Sequence, residues 1–295
     1  MKAPRPRWKP RCPDMARFYK LSGSGNDFLA LTEPIGPYET PSQRQIRAWC
    51  RRGISLGADG LFVLRRGPGG VVMDYFNSDG LSADLCLNGT RCAAQLAFHL
   101  GWADEAVRID TGAGPVAARR LDETRAAVEV EAPETPRELT VQAGGIACAG
   151  YRLRVGVPHF VLPWSLSLAE APVLTLGSEI RAHAAFGEEG TNVSFVRFPA
   201  RRRMEIRTFE RGVDDETLSC GTGVLAGAAV GLALGMIELP LRVATEGGFE
   251  LEVDRAEGGT GKARWLLAGD ARVVAQGELF PAAEVEPPPP AWASI

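Results

Sequence analysis

The sequence lacks the residue patterns that bind metals and the commonest cofactors. It has only three histidines, His99, His159 and His183, and its six cysteines form no Cys-x-x-Cys pair, so the spacing typical of a zinc site is missing. Lysine is also scarce, because only Lys20 and Lys262 lie outside the first fourteen residues, and neither is part of a phosphate-binding motif. A pyridoxal phosphate enzyme needs a lysine for its Schiff base. We therefore predict a protein with no metal and no cofactor.

Long apolar segments are missing as well. No segment approaches the ~20 apolar residues of a membrane-spanning helix, and the basic residues 1–14 contain no apolar signal-peptide core. We therefore expect no membrane partner and a cytoplasmic protein with free thiols, since the cytosol is reducing. Residues 1–14 are predicted to form a flexible basic tail, and residues 284–295 a proline-rich tail.

The charge is unevenly distributed along the chain. The formal net charge is −3, although residues 1–14 hold four more positive than negative side chains, which leaves −7 for the rest. Nucleic-acid binding relies on clustered Lys and Arg, and the run RRR at 201–203 is typical of a solvated strand edge. The acidic body thus argues against a nucleic-acid partner and favours a small-molecule one.

The chain contains one internal repeat. CLNGTRCAAQLAFHLG at 86–101 aligns without gaps with CGTGVLAGAAVGLALG at 220–235, an offset of 134 residues. Two upstream pairs keep nearly the same offset: LGADGLFVL resembles EGTNVSFVR, and GNDFLAL resembles GVPHFVL. Three collinear pairs indicate a duplicated unit.

Each copy of the repeat has the same predicted secondary structure. Short β-rich runs precede a helix of about four turns that begins at Cys86 or Cys220. Both helices are apolar nearly all round, so each is expected to be buried on every side. The sequence therefore predicts an α+β fold of two pseudo-symmetric domains, each a mostly antiparallel sheet wrapped around a central buried helix. We place the first domain at 15–132 plus 271–283, the second at 133–270, and the active site in the cleft between them.

Cys86 and Cys220 are the candidate catalytic residues. The N–H groups at a helix start have no partner within the helix and, with the helix dipole, favour a thiolate and bind a carboxylate. We therefore expect a lowered thiol pKa and a carboxylate site in each domain. Two thiols on opposite sides of one carbon could invert it, because one removes the proton and the other returns it to the opposite face. A single buried cysteine is more often structural, which is how we interpret the other four, Cys12, Cys50, Cys92 and Cys148.

Longer stretches resemble the diaminopimelate epimerase family over residues 17–281. They are FYKLSGSGNDF, GADG, FNSDG followed by CLNGTRC, GVPHFV, GTNVSF, ERGVDDETLSCGTG and GDARVVAQGE. The resemblance implies the paired helix-in-sheet fold and the interconversion of LL- and meso-diaminopimelate, a precursor of lysine and peptidoglycan, without pyridoxal phosphate or metal. With the family we also expect a homodimer.

The resemblance further implies roles for individual residues. Cys86 and Cys220 are the acid/base pair, assisted by His159 and Glu210. The residues expected to bind the substrate are Asn26, Asn77, Leu87, Asn88, Val157, Asn192, Arg211, Gly221 and Thr222. Leu87 stands where the family usually has glycine, and Val157 where many relatives have asparagine. Both departures concern the exact substrate more than the type of reaction.

Three alternatives stay open at this point. The chain could be a related amino-acid racemase with another substrate, or a fold relative that isomerises or hydrolyses with carboxylates or a single Cys-His nucleophile. It could also be a non-catalytic amino-acid-binding protein. Exchange of the Cα hydrogen with solvent distinguishes an epimerase or racemase from a hydrolase or a binding protein.

Overall fold

A computed structural model of the chain describes residues 16–33, 40–256 and 263–285. The predicted basic tail and all but the first two residues of the predicted proline-rich tail lie outside these described residues. The strands are β1 Arg17–Gly23, β2 Asn26–Thr32, β3 Gly60–Gly67, β4 Gly70–Asn77, β5 Ala106–Thr111, β6 Gly114–Arg120, β7 Arg125–Glu131, β8 Arg137–Ala143, β9 Ile146–Val155, β10 Val157–Pro163, β11 Asn192–Ala200, β12 Arg203–Glu210, β13 Asp215–Thr217, β14 Leu241–Thr245, β15 Glu250–Arg255, β16 Arg264–Asp270 and β17 Arg272–Glu278. The α-helices are α1 Gln43–Cys50, α2 Leu87–His99, α3 Val173–Arg181 and α4 Gly221–Ala233.

The strands form one continuous, mostly antiparallel sheet whose pairing order repeats. From β1 to β7, successive neighbours pair antiparallel, parallel, antiparallel, parallel, antiparallel and antiparallel. The same succession runs from β9 through β10, β11, β12, β14 and β15 to β16. The two series join where β7 pairs antiparallel with β16. The predicted duplication and the predicted sheet type are confirmed.

Helices α2 and α4 occupy the centres of the two halves. In α2 every residue from Leu87 to Phe98 is buried, and in α4 so are Gly221 and every residue from Gly223 to Gly231. One apolar cluster includes side chains from both helices and from both strand series. The predicted burial on every side is confirmed, although α2 also buries polar side chains, including Asn88 and Arg91.

Both central helices end in the same way. Gly101 and Gly235 each follow the residue that caps the helix, and each has a φ of 66°. A side chain would be strained in this left-handed conformation, so glycine is the residue that lets the chain turn away from the helix. The glycines that lie fifteen residues after Cys86 and Cys220 therefore end the two central helices at equivalent positions.

The strands at the two ends of the sheet complete the symmetry. β17 pairs with β1, and β8 pairs with β9, so each series gains one further antiparallel strand on its outer side. The residue boundaries of the two domains stay a prediction. Among the described residues, no helix is both long enough and apolar enough to span a membrane.

Candidate active site

Cys86 and Cys220 occupy the same position in their helices. Each is the N-cap residue, with φ and ψ of −131° and 109° at Cys86 and −110° and 106° at Cys220. The Gly89 N–H donates to Cys86 Sγ over 3.4 Å, and Cys220 Sγ lies 3.4 Å from Thr222 Oγ1. Because each cysteine precedes the first helical turn, each sulfur lies beside N–H groups that have no partner within the helix.

The two helix starts are in contact with each other. Asn88 Nδ2 donates to the carbonyl oxygen of Ser219, the residue before Cys220, over 3.1 Å. A Cβ atom added to Gly221 would lie 3.2 Å from Leu87 Cβ and 3.4 Å from Asn88 Oδ1, which is close for a non-bonded contact. The small residue after Cys220 therefore allows the first turns of α2 and α4 to approach closely.

A tight turn leads the chain from β4 towards Cys86. The Gly80 N–H donates to the Asn77 carbonyl over 2.9 Å, and Gly80 has a φ of 80°. A Cβ atom at Gly80 would also lie 2.5 Å from the Gln43 carbonyl oxygen. The FNSDG stretch thus needs glycine here on both counts. Asn77 itself is exposed at this turn.

Glu210 interacts electrostatically with both thiols. It is the last residue of β12, where its Oε2 accepts a hydrogen bond of 2.9 Å from Thr217 Oγ1. Its interaction with the Cys220 thiol lowers its own pKa, and its negative charge raises the pKa of Cys86. Burial raises the pKa of Glu210 itself. The predicted assistant of the thiols is therefore placed where it can exchange a proton with Cys220.

The thiols have raised rather than lowered pKa values. Burial is the largest cause at both Cys86 and Cys220, and the charge of Glu210 acts in the same direction. The Gly89 N–H and the Thr222 hydroxyl lower the pKa of their respective thiols, but less than burial raises it. The expectation of a lowered thiol pKa, based on helix position alone, is therefore wrong for the free chain, because it left out the cost of burying a thiolate.

His159 and Asn192 lie side by side on the parallel strands β10 and β11. His159 is buried, its Nε2 is 3.4 Å from Asn192 Nδ2, and its Nδ1 has no partner among the described residues. Burial first, and then the charges of Arg211 and Arg154, lower the pKa of His159 to about 3. The imidazole is therefore neutral at neutral pH. The Asn192 side chain is also held through its oxygen, because Oδ1 accepts a hydrogen bond of 2.7 Å from the Arg211 backbone N–H.

Arg211 and Arg154 share one carboxylate near His159. Arg211 Nη1 is 3.5 Å from Glu189 Oε1, and Arg154 Nη1 is 3.0 Å from Glu189 Oε2. Arg154, His159 and Glu189 line a cavity of about 300 Å³. This region presents charges of both signs next to the buried imidazole.

Two predicted substrate residues lie apart from this network. Val157 is the partly buried first residue of β10, and no hydrogen bond among the described residues joins the exposed Asn77 side chain to a thiol. The described residues also include no group of three or more His, Cys, Asp or Glu side chains that could hold a metal ion. The prediction that catalysis needs no cofactor stays a prediction.

Sequence reasoning missed several polar residues around the thiols. The Tyr75 hydroxyl interacts with the Cys86 sulfur and lowers the pKa of that thiol, while burial raises the pKa of the hydroxyl itself. Asp59 accepts from Asn26 Nδ2 over 3.1 Å, and the buried Arg91 donates to Asn88 Oδ1 over 2.7 Å. A signal existed for Tyr75, which is two residues before Asn77 and so shares its side of the strand. Asp59 belongs to the GADG motif but was given no role.

Known proteins match this chain over most of its length. The family model described as diaminopimelate epimerase matches residues 18–135 and 151–266. The diaminopimelate epimerase of Aquifex aeolicus is 36% identical over 253 residues, covering 81% of this chain and 90% of that protein. That of Gemmatimonas aurantiaca is 34% identical over 280 residues, covering 89% and 98%. The chain belongs to the diaminopimelate epimerase family.

Solved structures of more distant proteins share the fold. A hydroxyproline epimerase from Agrobacterium vitis superposes with a TM-score of 0.65 at 14% identity, covering 93% of this chain and 96% of its own. A protein of the phenazine biosynthesis PhzF family from Enterococcus faecalis gives a TM-score of 0.65 at 15% identity, covering 90% and 99%. Membership of the diaminopimelate epimerase family confirms the predicted family and the two-domain fold, and it makes the chain an isomerase.

Proposed function

We propose that the chain epimerises LL-diaminopimelate to meso-diaminopimelate with Cys86 and Cys220 as its two acid/base groups. The named relatives support this substrate. The observation that carries the two-base mechanism is the contact between two equivalent helix starts, each capped by a cysteine, with the charge of Glu210 acting on both thiols. A single base that removed and returned the proton on one face would regenerate the starting stereoisomer.

The proton balance of the reaction follows from this arrangement. One cysteine, as a thiolate, takes the proton from the substrate Cα, and the C–H electron pair is delocalised into the adjacent carboxylate. The opposite cysteine, as a thiol, donates its proton to the other face of the carbon. The unpaired N–H groups at the two helix starts stabilise the carboxylate while it carries the additional charge. The products are the inverted amino acid and a pair of cysteines with exchanged protonation.

Activation of the attacking thiol needs a proton acceptor, because burial favours the neutral form of both cysteines. Glu210 interacts with Cys220 and has a raised pKa, so it is suited to accept that proton. For the other thiol, the interaction with the Tyr75 hydroxyl favours the Cys86 thiolate. The cationic ammonium of a bound substrate would further offset the cost of a buried negative charge.

Substrate binding is assigned to the remaining predicted residues. Arg211 suits the distal carboxylate of the substrate, because a guanidinium can donate two parallel hydrogen bonds to one carboxylate. His159 and Asn192 lie beside it as neutral polar groups. Leu87 is buried and touches α4 near Gly221, so we expect it to shape the apolar part of the pocket in place of the usual glycine.

The test is solvent exchange at Cα combined with single cysteine variants. The purified chain is incubated with LL-diaminopimelate in heavy water, and deuterium at Cα and the stereoisomer ratio are followed by mass spectrometry and chiral chromatography. Cys86→Ala and Cys220→Ala should each reduce epimerisation to background, whereas Cys148→Ala, which changes a buried cysteine of β9, should leave it unchanged. Full epimerisation by either catalytic variant would refute the two-base mechanism.

The same assay addresses the alternatives. A related racemase would exchange Cα deuterium with another amino acid in a panel but not with diaminopimelate, and a binding protein would show no exchange. The matched relatives favour neither alternative.

A homodimer and a cytoplasmic location remain proposals. An exposed apolar side chain on β17, Val274, and another just beyond it, Phe280, support a surface for a second copy, and the required thiols support a reducing compartment. Sedimentation equilibrium tests the first, and fractionation of cells that express the chain tests the second.

A further inference from the structure

Four side chains form a directional chain of hydrogen bonds beneath the two helix starts. Arg91 Nη2 donates to Asn88 Oδ1 over 2.7 Å, Asn88 Nδ2 donates to Asn26 Oδ1 over 2.7 Å, and Asn26 Nδ2 donates to Asp59 Oδ2 over 3.1 Å. The two central members are predicted substrate residues, and the two end members are charged residues with no assigned role. We call this set the amide relay.

The charges at its ends give the amide relay a single polarity. A guanidinium can only donate and an ionised carboxylate can only accept, whereas an amide can present either its oxygen or its nitrogen to a neighbour. With a donor fixed at Arg91 and an acceptor fixed at Asp59, each amide must turn its oxygen towards Arg91 and its nitrogen towards Asp59. The reverse orientation of either amide would place donor against donor or acceptor against acceptor.

The orientation of Asn88 also determines a contact with the second half of the molecule. Asn88 Nδ2 donates a second hydrogen bond, over 3.1 Å, to the carbonyl of Ser219, which precedes Cys220. If the Asn88 amide were flipped, its oxygen would face the oxygens of Ser219 and Asn26, and the attraction would become a repulsion. The direction of the amide relay is thus coupled to the position of Cys220 relative to α2.

Burial of the Arg91 guanidinium costs free energy of folding. Its side chain is fully buried, and its Nε and Nη1 have no hydrogen-bond partner among the described residues. Its Nη2 also donates a hydrogen bond of 3.0 Å to Ser24 Oγ. A well-packed apolar side chain is often at least as stabilising as a buried charge of this kind. This cost indicates that position 91 requires a side chain that can only donate hydrogen bonds.

We propose that Arg91 and Asp59 are positioning residues, which fix the orientation of the side-chain amides of two predicted substrate residues, Asn26 and Asn88, and thereby align the two cysteine-capped helix starts. The proposal rests on the proposed function, since it concerns the same site. Neither residue touches the reacting atoms. Each acts through an amide, and the two act on the same amide relay from opposite ends.

The experiment varies the two ends separately and together. Arg91→Met removes the donor, and Arg91→Lys keeps a group that can only donate. Asp59→Ala removes the acceptor, and Asp59→Asn keeps one acceptor oxygen. Arg52→Ala is the matched control, because Arg52 Nη2 pairs with the other carboxylate oxygen of Asp59, Oδ1, over 2.7 Å and leaves the bond to Asn26 intact.

Two measurements are made on each variant. The first is kcat/KM for Cα deuterium exchange with LL-diaminopimelate, and the second is the affinity for meso-diaminopimelate by calorimetry in a Cys86→Ala background. We expect Arg91→Met and Asp59→Ala each to lower kcat/KM by about tenfold or more, in line with the sensitivity of catalysis to small displacements. The double variant should be no worse than the poorer single variant, because both changes release the same amides. Arg91→Lys, Asp59→Asn and Arg52→Ala should stay within about threefold of the parent.

Several outcomes would overturn the proposal. They are parental kinetics in Asp59→Ala, a multiplicative loss in the double variant, or an equal loss in Asp59→Ala and Arg52→Ala. If Arg91→Met does not fold, the comparison of Asp59→Ala with Asp59→Asn and Arg52→Ala decides alone, since the Asp59 side chain is 37% exposed and tolerates substitution more readily. Failure of the parent chain to exchange or bind diaminopimelate would instead refute the proposed function, which the parent measurements reveal directly.

Discussion

Substitution of Gly221 by alanine tests whether the close approach of the two helix starts matters for catalysis. The added Cβ atom would lie 3.1 Å from Leu267 Cδ2 and 3.2 Å from Leu87 Cβ. Favourable carbon contacts begin at about 3.5 Å, so these neighbours must move by about 0.3–0.4 Å. A displacement of ~1 Å can cost ~10²-fold in rate, so a third of that should lower kcat roughly fivefold, or about 1 kcal/mol in the barrier.

Gly227→Ala is the matched control for this prediction. It lies in the same helix, and its added Cβ would lie 3.0 Å from the end of the Met204 side chain and from Val196 Cγ1, away from the thiols. Both substitutions gain up to about 1 kcal/mol in helix propensity and lose about 1–3 kcal/mol through overpacking. The two variants should therefore have similar denaturation midpoints in guanidinium chloride, while only Gly221→Ala loses activity.

The assay is Cα deuterium exchange with LL-diaminopimelate, measured with saturating substrate at one temperature. A parental rate in Gly221→Ala would show that the contact at this glycine is not needed for alignment. Equal rate losses in the two glycine variants would assign the effect to general destabilisation. Either result would refute the reasoning from geometry.

Three further predictions concern the titratable groups. Glu210→Gln should lower the rate of epimerisation roughly 10²-fold or more, because it removes a proton acceptor. The same substitution should speed alkylation of Cys220, because the charge of Glu210 raises the pKa of that thiol. Slower alkylation of Cys220, mapped by mass spectrometry, would contradict this assignment. Tyr75→Phe should slow alkylation of Cys86 roughly two- to tenfold at fixed pH in a Cys220→Ala background, since an interaction that favours the thiolate is lost. An unchanged alkylation rate would contradict this interaction. The buried His159 should lower the free energy of unfolding in acid. Its pKa falls from 6.5 to about 3 on folding, so between these values the unfolded chain binds a proton that the folded chain does not. The contribution of the neutral imidazole to the free energy of unfolding is therefore present above pH 6.5 and is lost as the pH falls towards 3. Relative to His159→Gln, the parent should lose roughly 2–3 kcal/mol between pH 7 and 4.5 by chemical denaturation, and parallel pH profiles of the two proteins would contradict a neutral buried imidazole.

The repeat made most of the fold predictable from the sequence. The aligned cysteine segments predicted α2 and α4, and the β-rich runs before and after them correspond to strands on both sides of each helix. Helices α1 and α3 have no counterpart in the aligned segments and were not predicted, although Ser42 and Gln45 form a capping box at the start of α1. Local signals outside a repeat were thus easier to overlook than signals that occur twice.

The candidate site was only partly predictable. Cys86, Cys220 and Glu210 could be identified because motif positions carry them, and in the structure the charge of Glu210 acts on both thiols. The direction of the thiol pKa could not be predicted, since helix position indicates a favourable dipole but says nothing about burial. The role that we propose for Arg91 could not be predicted from the sequence either. In the sequence Arg91 is one polar residue in an apolar helix, and only the fold brings it to Asn88 and shows that it is buried.

The edge strands β8 and β17 occupy equivalent positions, which would allow the two halves to follow each other along the chain in either order. β17 returns to β1, so that Arg17 pairs with Glu278 and the Leu279 N–H donates to the Ala16 carbonyl over 2.8 Å. The last strand of the described chain therefore lies beside its first strand, whereas β8 and β17 remain the two edges of the sheet. A circular permutant that connects Leu279 to Ala16 through a short linker and opens the chain between β7 and β8 would exchange the order of the two halves. It would leave every strand pairing in place, because neighbouring ends are what such rearrangements require.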